Sequence, residues 1–315
     1  MKDISPLTGH PARLYCRKPQ AEYYIADGLI YQKTPPTVEQ MAAYAEREYS
    51  TGVYKDYIAA APLKTATFRR RIKRLKKLGT KGRLLDVGCG CGFFIQVALE
   101  EGFDAYGIDF SHAARAAAAE EIQPRITIGD VNSLRRRGEE PFDVVVAFDI
   151  IEHSQNPLQF LREIRSVLRP DGWLMLSTPD TDHFLRFVMR TRWPMLQPMQ
   201  HTHLFSKRAM QSALEKAGYR NISLRKADKT LTLDYVLEQV RVHNPWLTRI
   251  YRTLAPLLPR ALHRKAFTVN IGEFLAFAQP QMDAGEDRLS AKSPRGIADV
   301  SSRWSSLAPH EEGGC

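Results

Sequence analysis

The sequence has few cysteines and no long apolar run. Its four cysteines in 315 residues (Cys16, Cys89, Cys91 and Cys315) are too few for a disulfide framework. The first 16 residues contain no apolar signal-peptide core, and no stretch approaches the roughly 18 consecutive apolar residues of a membrane span. No internal repeat of solenoid type is present. We therefore expect a globular protein in the cytoplasm.

Charge is balanced along most of the chain. The net charge is +10, and residues 64–83 alone contain ten Lys or Arg and no acid. This segment predicts a helix with Phe68, Ile72 and Leu75 on one face, ended by Gly79. One face would pack on the domain and the basic face would be solvated. No RNA-reading module accompanies it, so we do not expect nucleic acid as the partner.

Composition divides the chain into three parts. Residues 1–60 form a front segment in which AEYYIADGLIYQ predicts a hairpin turning at Asp27-Gly28, followed by a short helix. Residues 61–280 are predicted to form the main domain, with insertions at 180–205 and 229–266. Apolar residues are sparse in 281–315, which predicts a disordered tail.

The main domain alternates short apolar strands with helices. Such alternation predicts right-handed crossovers and a parallel sheet with helices on both faces, an α/β fold. The predicted strands are RLLDVGC, DAYGIDF, RITIGD, FDVVVAFD and GWLMLSTP, followed later by YRNISLRKA and FTVNIGEFLAFAQ.

A glycine-rich turn follows the first of these strands. Its spacing is Gly-x-Gly-x-Gly from Gly88, and glycine permits positive φ and close approach of a ligand to the backbone. Asp109 lies 21 residues after Gly88, the spacing of an acid that meets ribose hydroxyls. Asp130 ends the third strand. Asp86, two residues before the first glycine, suits a positively charged ligand and would repel a pyrophosphate.

Several motifs, in order and spacing, resemble class I S-adenosylmethionine-dependent methyltransferases: LLDVGCGCG, GIDFS, FDVVVAFDIIEH and LRPDGWLMLSTP. The resemblance covers about residues 80–227, and HTHLFSKRAMQSALEKAGY is similar to the branch with quinone-biosynthesis and sugar or natural-product O-methyltransferases. It implies a Rossmann-like, seven-stranded, mostly parallel sheet of order 3-2-1-4-5-7-6 with the last strand antiparallel. It also implies S-adenosylmethionine as the cofactor.

The resemblance further implies which residues contact the cofactor, since each has a position in a family motif. These are Asp86, Gly88, Gly90 and Gly92 beside the methionine moiety, Asp109 at the ribose, Phe110 beside the adenine, Asp130 and Val131 at the adenine edge, and Phe148 and Asp149 closing the methionine side.

Candidate catalytic residues follow the fourth strand. A hydroxyl acceptor must lose a proton, and His153 has the intrinsic pKa of a base near neutral pH. Glu152 precedes it, and His203 is a candidate for the rim of the site. The resembling quinone enzymes carry Glu-x-x-Glu-His here and are thought to bind a divalent cation, but Asp149 takes the first place in this chain. Packing or capping is the simpler role, and we predict no metal.

The front segment resembles a small zinc ribbon that precedes many relatives. In this chain Ser5–Gly9 and Ile25–Gly28 occupy the knuckle positions without any cysteine. A structural zinc needs four nitrogen or sulfur ligands. We therefore predict a ribbon remnant without zinc.

The predicted activity is O-methylation of a hydroxyl group on a small molecule, a glycan or a lipid-linked acceptor. The stretch 245–267 mixes Trp, Tyr and Leu with Arg and Lys, which predicts a lid over the acceptor or a peripheral membrane contact. Two alternatives stay open. One is a nicotinamide-dependent Rossmann oxidoreductase, against which the missing third dinucleotide glycine counts. The other is a nucleic-acid-binding protein that uses the basic helix.

Overall fold

The computed structural model describes residues 3–50, 58–236 and 265–281. The strands are β1 Arg13–Lys18, β2 Ala21–Ala26, β3 Leu29–Gln32, β4 Arg83–Val87, β5 Asp104–Asp109, β6 Ile126–Ile128, β7 Phe142–Phe148, β8 Leu168–Pro179, β9 His203–Phe205, β10 Tyr219–Lys226, β11 Lys229–Leu231, β12 Phe267–Val269 and β13 Glu273–Pro280. The α-helices are α1 Val38–Ser50, α2 Ala61–Lys77, α3 Phe93–Glu100, α4 His112–Ala116, α5 Val131–Arg136, α6 Pro157–Val167, α7 Phe184–Met189 and α8 Lys207–Lys216.

A seven-stranded sheet forms the centre of the main domain, in the order β6-β5-β4-β7-β8-β13-β10. Strands β4 to β8 run parallel, while β13 is antiparallel to both β8 and β10. Numbered along the chain, the seven strands therefore lie in the order 3-2-1-4-5-7-6, with the last one antiparallel. The predicted topology is confirmed.

Alternate residues of the central strands enter two different cores. In β7, Val144 and Val146 pack toward α2 and α3, whereas Val145 and Ala147 pack toward α6 and α8. All four side chains are fully buried. This burial on both faces explains why β7 reads as a continuous apolar run instead of an alternating one.

The front segment forms a second sheet, β1-β2-β3-β9. Strands β2 and β3 turn at Asp27 and Gly28, which have φ of 49° and 81°, as the sequence predicts for a tight hairpin. Strand β9, at the end of the predicted insertion 180–205, pairs with β3 through Tyr31 and His203. This pairing joins the front segment to the main domain; it was not predicted, because its strands lie about 170 residues apart in sequence.

Two predicted elements differ from the structure. FTVNIGEFLAFAQ is two strands, since β12 pairs with β11 in a separate ribbon and β13 enters the main sheet. The chain turns between them at Asn270, whose side-chain amide donates to the carbonyls of Ala227 and Glu273, each at 2.7 Å. The helix predicted at SHAARAAAAEE is shorter and ends at Ala116.

Two predicted segments fall largely outside the described residues: positions 237–264 of the insertion and amphipathic stretch, and positions 282–315 of the tail. Among the residues described, no helix combines the length and the apolar character needed to cross a membrane.

Candidate active site

The glycine-rich turn joins β4 to α3 at the carboxyl edge of the sheet. Gly88, Gly90 and Gly92 all have positive φ, at 73°, 54° and 75°. A Cβ on Gly88 would overlap the side chain of Ile150, and one on Gly92 would lie 2.5 Å from Ile122. The turn thus needs glycine for both its conformation and its space.

Asp109 ends β5 and is tied to this turn. Its Oδ2 accepts a hydrogen bond from the Gly90 N–H at 2.9 Å, and its Oδ1 accepts one from the Ser111 N–H at 2.9 Å. Burial raises the pKa of its carboxyl, while these backbone donors oppose the rise. Each oxygen keeps a further lone pair, so the fixed carboxylate can also accept from a pair of hydroxyls.

Asp86 lies in β4, beside β5, and is buried. Burial and then the charge of Asp109 raise the pKa of Asp86 well above its ordinary value. Two buried carboxyl groups next to the glycine turn disfavour an anion and favour a cationic ligand, whose charge would restore their ionised forms.

The other residues predicted near the adenine have different environments. Phe110 is 60% exposed at the end of β5, where an aromatic ring is available for stacking. Asp130 caps α5, accepting from the Ser133 N–H at 2.8 Å, while the Val131 side chain is buried in the core. Any contact of Val131 with a ligand would therefore involve its backbone.

Asp149 follows β7 in a left-handed conformation, with φ of 57°. Its N–H donates to the Ser177 carbonyl at 2.9 Å, and Ser177 Oγ donates back to its Oδ1 at 2.6 Å. Lys229 Nζ donates to Oδ2 at 3.1 Å. The aspartate is thus held on both carboxylate oxygens at the edge where β7 and β8 end.

Lys229 belongs to a partly buried charge cluster, which we define as Asp149, Lys229, Glu273 and Arg71; the last two are buried. Lys229 also donates to Glu273, and Arg71 lies 4.0 Å from Glu273, with its guanidinium 4.2 Å from the centre of the Phe148 ring. Burial would raise the pKa of Asp149, but Lys229 and Arg71 hold it well below its ordinary value. For Glu273, burial and Asp149 prevail and raise the pKa.

The predicted base, His153, lies in a short 3-10 helix, Ile151–His153, after β7. Its Nδ1 is 2.9 Å from the carbonyl oxygen of Gln200. A carbonyl only accepts, so Nδ1 must carry the proton and Nε2 of the neutral ring must present a lone pair. Burial lowers the pKa of His153, with the Gln200 hydrogen bond opposing it, and so favours this neutral form.

Glu152 and His201 lie beside His153. One ligand atom from each of the three residues falls within 4.8 Å of the others, and the two imidazole centres are 5.1 Å apart. The Nδ1 of His201 donates to the Met195 carbonyl at 2.8 Å, so its Nε2 also has a lone pair. Burial, then His153, lowers the pKa of His201 to about 3. Burial, then Asp149, raises the pKa of Glu152 well above its usual range.

The third predicted catalytic residue, His203, has a different environment. It is 5% exposed, bonded through Nδ1 to the Ser154 carbonyl at 2.9 Å and stacked against Tyr31. Burial lowers its pKa to about 4. These contacts join the front sheet to the main domain and favour a packing role over a place at the rim.

Sequence reasoning missed Lys229, Glu273 and Arg71. Arg71 lies in the basic run, where no pattern separates a buried arginine from solvated ones. Lys229 lies 80 residues from Asp149, and its partner Glu273 lies another 44 residues on. Apolar and polar patterns along the chain do not predict ion pairs between residues so far apart in sequence.

The site fits S-adenosylmethionine, which carries a ribose, a sulfonium and an ammonium but no phosphate. The glycine turn presents backbone without side chains at the edge of the sheet, and Asp109 presents fixed acceptors for ribose hydroxyls. The carboxyl group of Asp86 near that turn would disfavour a pyrophosphate, which dinucleotide folds place at the following helix.

Comparisons with known proteins agree with this geometry. The model of a family described as "Methyltransferase domain" matches residues 60–224. The ubiquinone biosynthesis O-methyltransferase of Cereibacter sphaeroides is 29% identical over 182 residues, covering 50% of this chain and 73% of the relative. The biotin biosynthesis bifunctional protein BioHC of Teredinibacter turnerae is 28% identical, covering 52% of this chain and 32% of the relative.

Solved structures support the fold. The 1,6-didemethyltoxoflavin-N1-methyltransferase of Burkholderia thailandensis superposes with a TM-score of 0.52 at 16% identity, covering 86% of this chain and all of that one.

Among the curated relatives, the chain spans 32% of the biotin protein and 40% and 57% of the ubiquinone enzymes of Caulobacter and Leptothrix cholodnii.

The nicotinamide oxidoreductase and nucleic-acid alternatives are not favoured by these matches. The basic helix is also partly neutralised, since Arg69 bonds Glu100 at 2.8 Å and Lys76 bonds Glu101 at 2.5 Å. The family match, the sheet topology and the glycine turn with Asp109 lead to one conclusion. The chain belongs to the methyltransferase-domain family.

Proposed function

We propose that this chain is a class I S-adenosylmethionine-dependent methyltransferase that methylates a hydroxyl group of a small-molecule acceptor, with His153 as the general base. The observation that carries the proposal is the hydrogen bond from His153 Nδ1 to the Gln200 carbonyl. It leaves Nε2 unprotonated at the end of β7, next to the predicted methionine side of the cofactor site. The relatives named as ubiquinone biosynthesis O-methyltransferases support a hydroxyl acceptor.

Different side chains would bind the cofactor and activate the acceptor. Bound S-adenosylmethionine supplies a methyl group on a sulfonium, which departs as a neutral thioether. Asp109 and the glycine turn would orient the cofactor, with Phe110 beside the adenine and Asp149 at the methionine side. His153 Nε2 would take the proton of the acceptor hydroxyl. Orientation contributes up to roughly 7–11 kcal/mol to such reactions, and a positioned base about 10²–10⁴-fold.

The acceptor can be identified with labelled cofactor. The enzyme is incubated with methyl-labelled S-adenosylmethionine and host extract, and the labelled fraction is analysed. We expect the label in a small molecule, in an ether linkage stable to mild base. Label on a nitrogen or in an ester would contradict hydroxyl methylation, and label in nucleic acid would support the basic helix as the acceptor site.

A second candidate assigns His153 to a metal. The cluster of Glu152, His153 and His201 offers a carboxylate and two imidazoles whose Nδ1 atoms both donate to carbonyls, the arrangement that orients metal-bound histidines. If a divalent ion activates the acceptor, His201→Ala should lower turnover as much as His153→Ala, and a chelator should abolish activity. If His153 is the base, His201→Ala should have the smaller effect and the chelator none.

A further inference from the structure

Helix α7, directly after the end of β8, presents an apolar face to the surface. Phe184, Phe187 and Val188 stand at i, i+3 and i+4, the spacing of one helix face, and are 63%, 56% and 73% exposed. No residue of this helix is buried. In α8, by contrast, the apolar residues Met210 and Leu214 are fully buried. Helix α7 therefore presents apolar side chains outward, while its one polar residue, Arg186, is half-buried.

Strand β12 and the turn after it add further exposed apolar side chains next to α7. Phe267 and Val269 alternate along β12 and are 42% and 37% exposed, and Ile271, beyond the turn at Asn270, is 42% exposed. The two apolar groups adjoin, since the Asp180 N–H donates to the Gly272 carbonyl at 2.8 Å and a Cβ on Gly272 would lie 2.9 Å from His183. Exposed apolar side chains in such a group indicate an interaction surface.

Cations accompany this surface. Arg190 and Arg192 follow α7 and are exposed, and Lys265, just before β12, is exposed as well. Arg186 is bonded to the Thr181 carbonyl and lies 4.0 Å from the centre of the Phe187 ring, which fixes the helix. Across 182–192 and 265–271 there are four cations and one acid, Asp182.

We infer that this apolar and basic surface docks onto an anionic lipid bilayer. Outward aromatic and branched side chains can enter the boundary between headgroups and acyl chains, while flanking arginines contact lipid phosphates. A protein partner would need matching acids, whereas a bilayer supplies negative charge and an apolar layer together. The surface also lies at the sheet edge that carries Asp149 and His153, because α7 begins a few residues after β8, so an acceptor could enter from the membrane.

Co-sedimentation of the full chain with vesicles tests this inference. The probes are phosphatidylcholine vesicles and vesicles of phosphatidylcholine and phosphatidylglycerol at 7:3. We expect binding to the anionic vesicles only, with release at high salt. Arg190→Gln with Arg192→Gln should reduce partitioning roughly 30-fold, about fivefold per arginine. Phe187→Ser with Val188→Ser should reduce it at least about tenfold.

Matched control variants distinguish binding through this surface from nonspecific binding of the protein to vesicles. Ile4→Ser removes an apolar side chain that is 61% exposed in the front segment, and Arg135→Gln with Arg137→Gln removes two exposed charges beyond β6. Both controls should bind vesicles like the unmodified chain. Loss of binding in the controls, equal binding to neutral vesicles, or unchanged binding of the α7 variants would overturn the inference.

Other occupants of the surface give different results. If a second copy or residues 237–264 cover it, the unmodified chain will not sediment with vesicles, and Phe187→Ser with Val188→Ser will change the oligomeric mass or the unfolding temperature. Either result contradicts membrane docking. Cofactor titration of the same variants should match the unmodified chain, so failure here is distinguishable from failure of the proposed methylation.

Discussion

The half of the site at β4 and β5 consists mainly of backbone groups, whereas the half at β7 and β8 consists mainly of ionisable side chains. At β4 and β5, backbone N–H groups and glycines shape the cofactor side, with Asp109 held by Gly90 and Ser111. At β7 and β8, the half that we propose for the acceptor and the methionine end of the cofactor consists of ionisable side chains, with Asp149 paired to Lys229 and His153 bonded to Gln200. The first half is local in sequence, whereas these two contacts of the second half join residues 80 and 47 positions apart.

The difference indicates what each half does. A backbone turn with fixed acceptors suits a ligand that is the same in every turnover. In the second half, the pKa of Asp149 is lowered and that of Glu152 is raised. Ionisable groups with pKa values shifted in opposite directions suit proton transfer to or from the acceptor. Substitutions in one half should therefore change cofactor binding, and substitutions in the other should change turnover.

The largest effect is expected at His153. His153→Ala should lower kcat by about 10²–10⁴-fold with little change in cofactor affinity. Because burial lowers its pKa, the imidazole stays neutral as pH falls past 6.5, so the acidic loss of activity should begin below that pH. Steady-state rates from pH 5 to 8 measure both effects. His10→Ala, an exposed histidine of the front segment, should leave kcat unchanged; a fully active His153 variant would remove it as the base.

Gly88→Ala should lower the stability of the glycine turn and also disturb the neighbouring segment at Ile150. The new Cβ would meet Ile150, next to Asp149, in a backbone conformation with φ of 73°. Strain and overpacking together should cost about 2–5 kcal/mol of unfolding free energy, and cofactor binding should weaken. Gly102→Ala is the matched control, with φ of 88° but nothing within 4 Å. Equal losses in denaturant unfolding of the two variants would show that the contact with Ile150 is unimportant.

Lys229→Gln should destabilise the acceptor half. It leaves the carboxylates of Asp149 and Glu273 without their ammonium partner. Because the side chains of Asp149 and Lys229 are 36% and 25% exposed, we expect a loss of about 1–3 kcal/mol of unfolding free energy, less than for a fully buried pair. The double variant with Glu273→Gln should recover part of this loss, as measured by urea unfolding. Lys76→Gln removes one partner of a more exposed pair and should scarcely move the midpoint. A double variant less stable than the single one would indicate that the cluster is not coupled as described.

The sequence predicted the parallel sheet from local signals, namely apolar runs alternating with helices. The strand order followed from the resemblance to class I methyltransferases, and the cofactor contacts stay predictions. The sequence did not predict the pairing of β9 with β3 or the partly buried charge cluster, because these depend on contacts between distant segments. It divided β12 and β13 wrongly, since both are apolar and only the hydrogen bonds of Asn270 separate them. His153 was predicted, but the carbonyl that sets its tautomer was not.

The most direct test of the account is the cofactor affinity of the Asp109→Asn variant. Calorimetric titration with S-adenosylmethionine should show one site on the unmodified chain. The variant should bind about tenfold more weakly, since loss of a charge-assisted hydrogen bond to the ribose costs about 1.5 kcal/mol. Affinity equal to that of the unmodified chain, or binding of a nicotinamide dinucleotide in preference to S-adenosylmethionine, would contradict the assignment of this edge of the sheet.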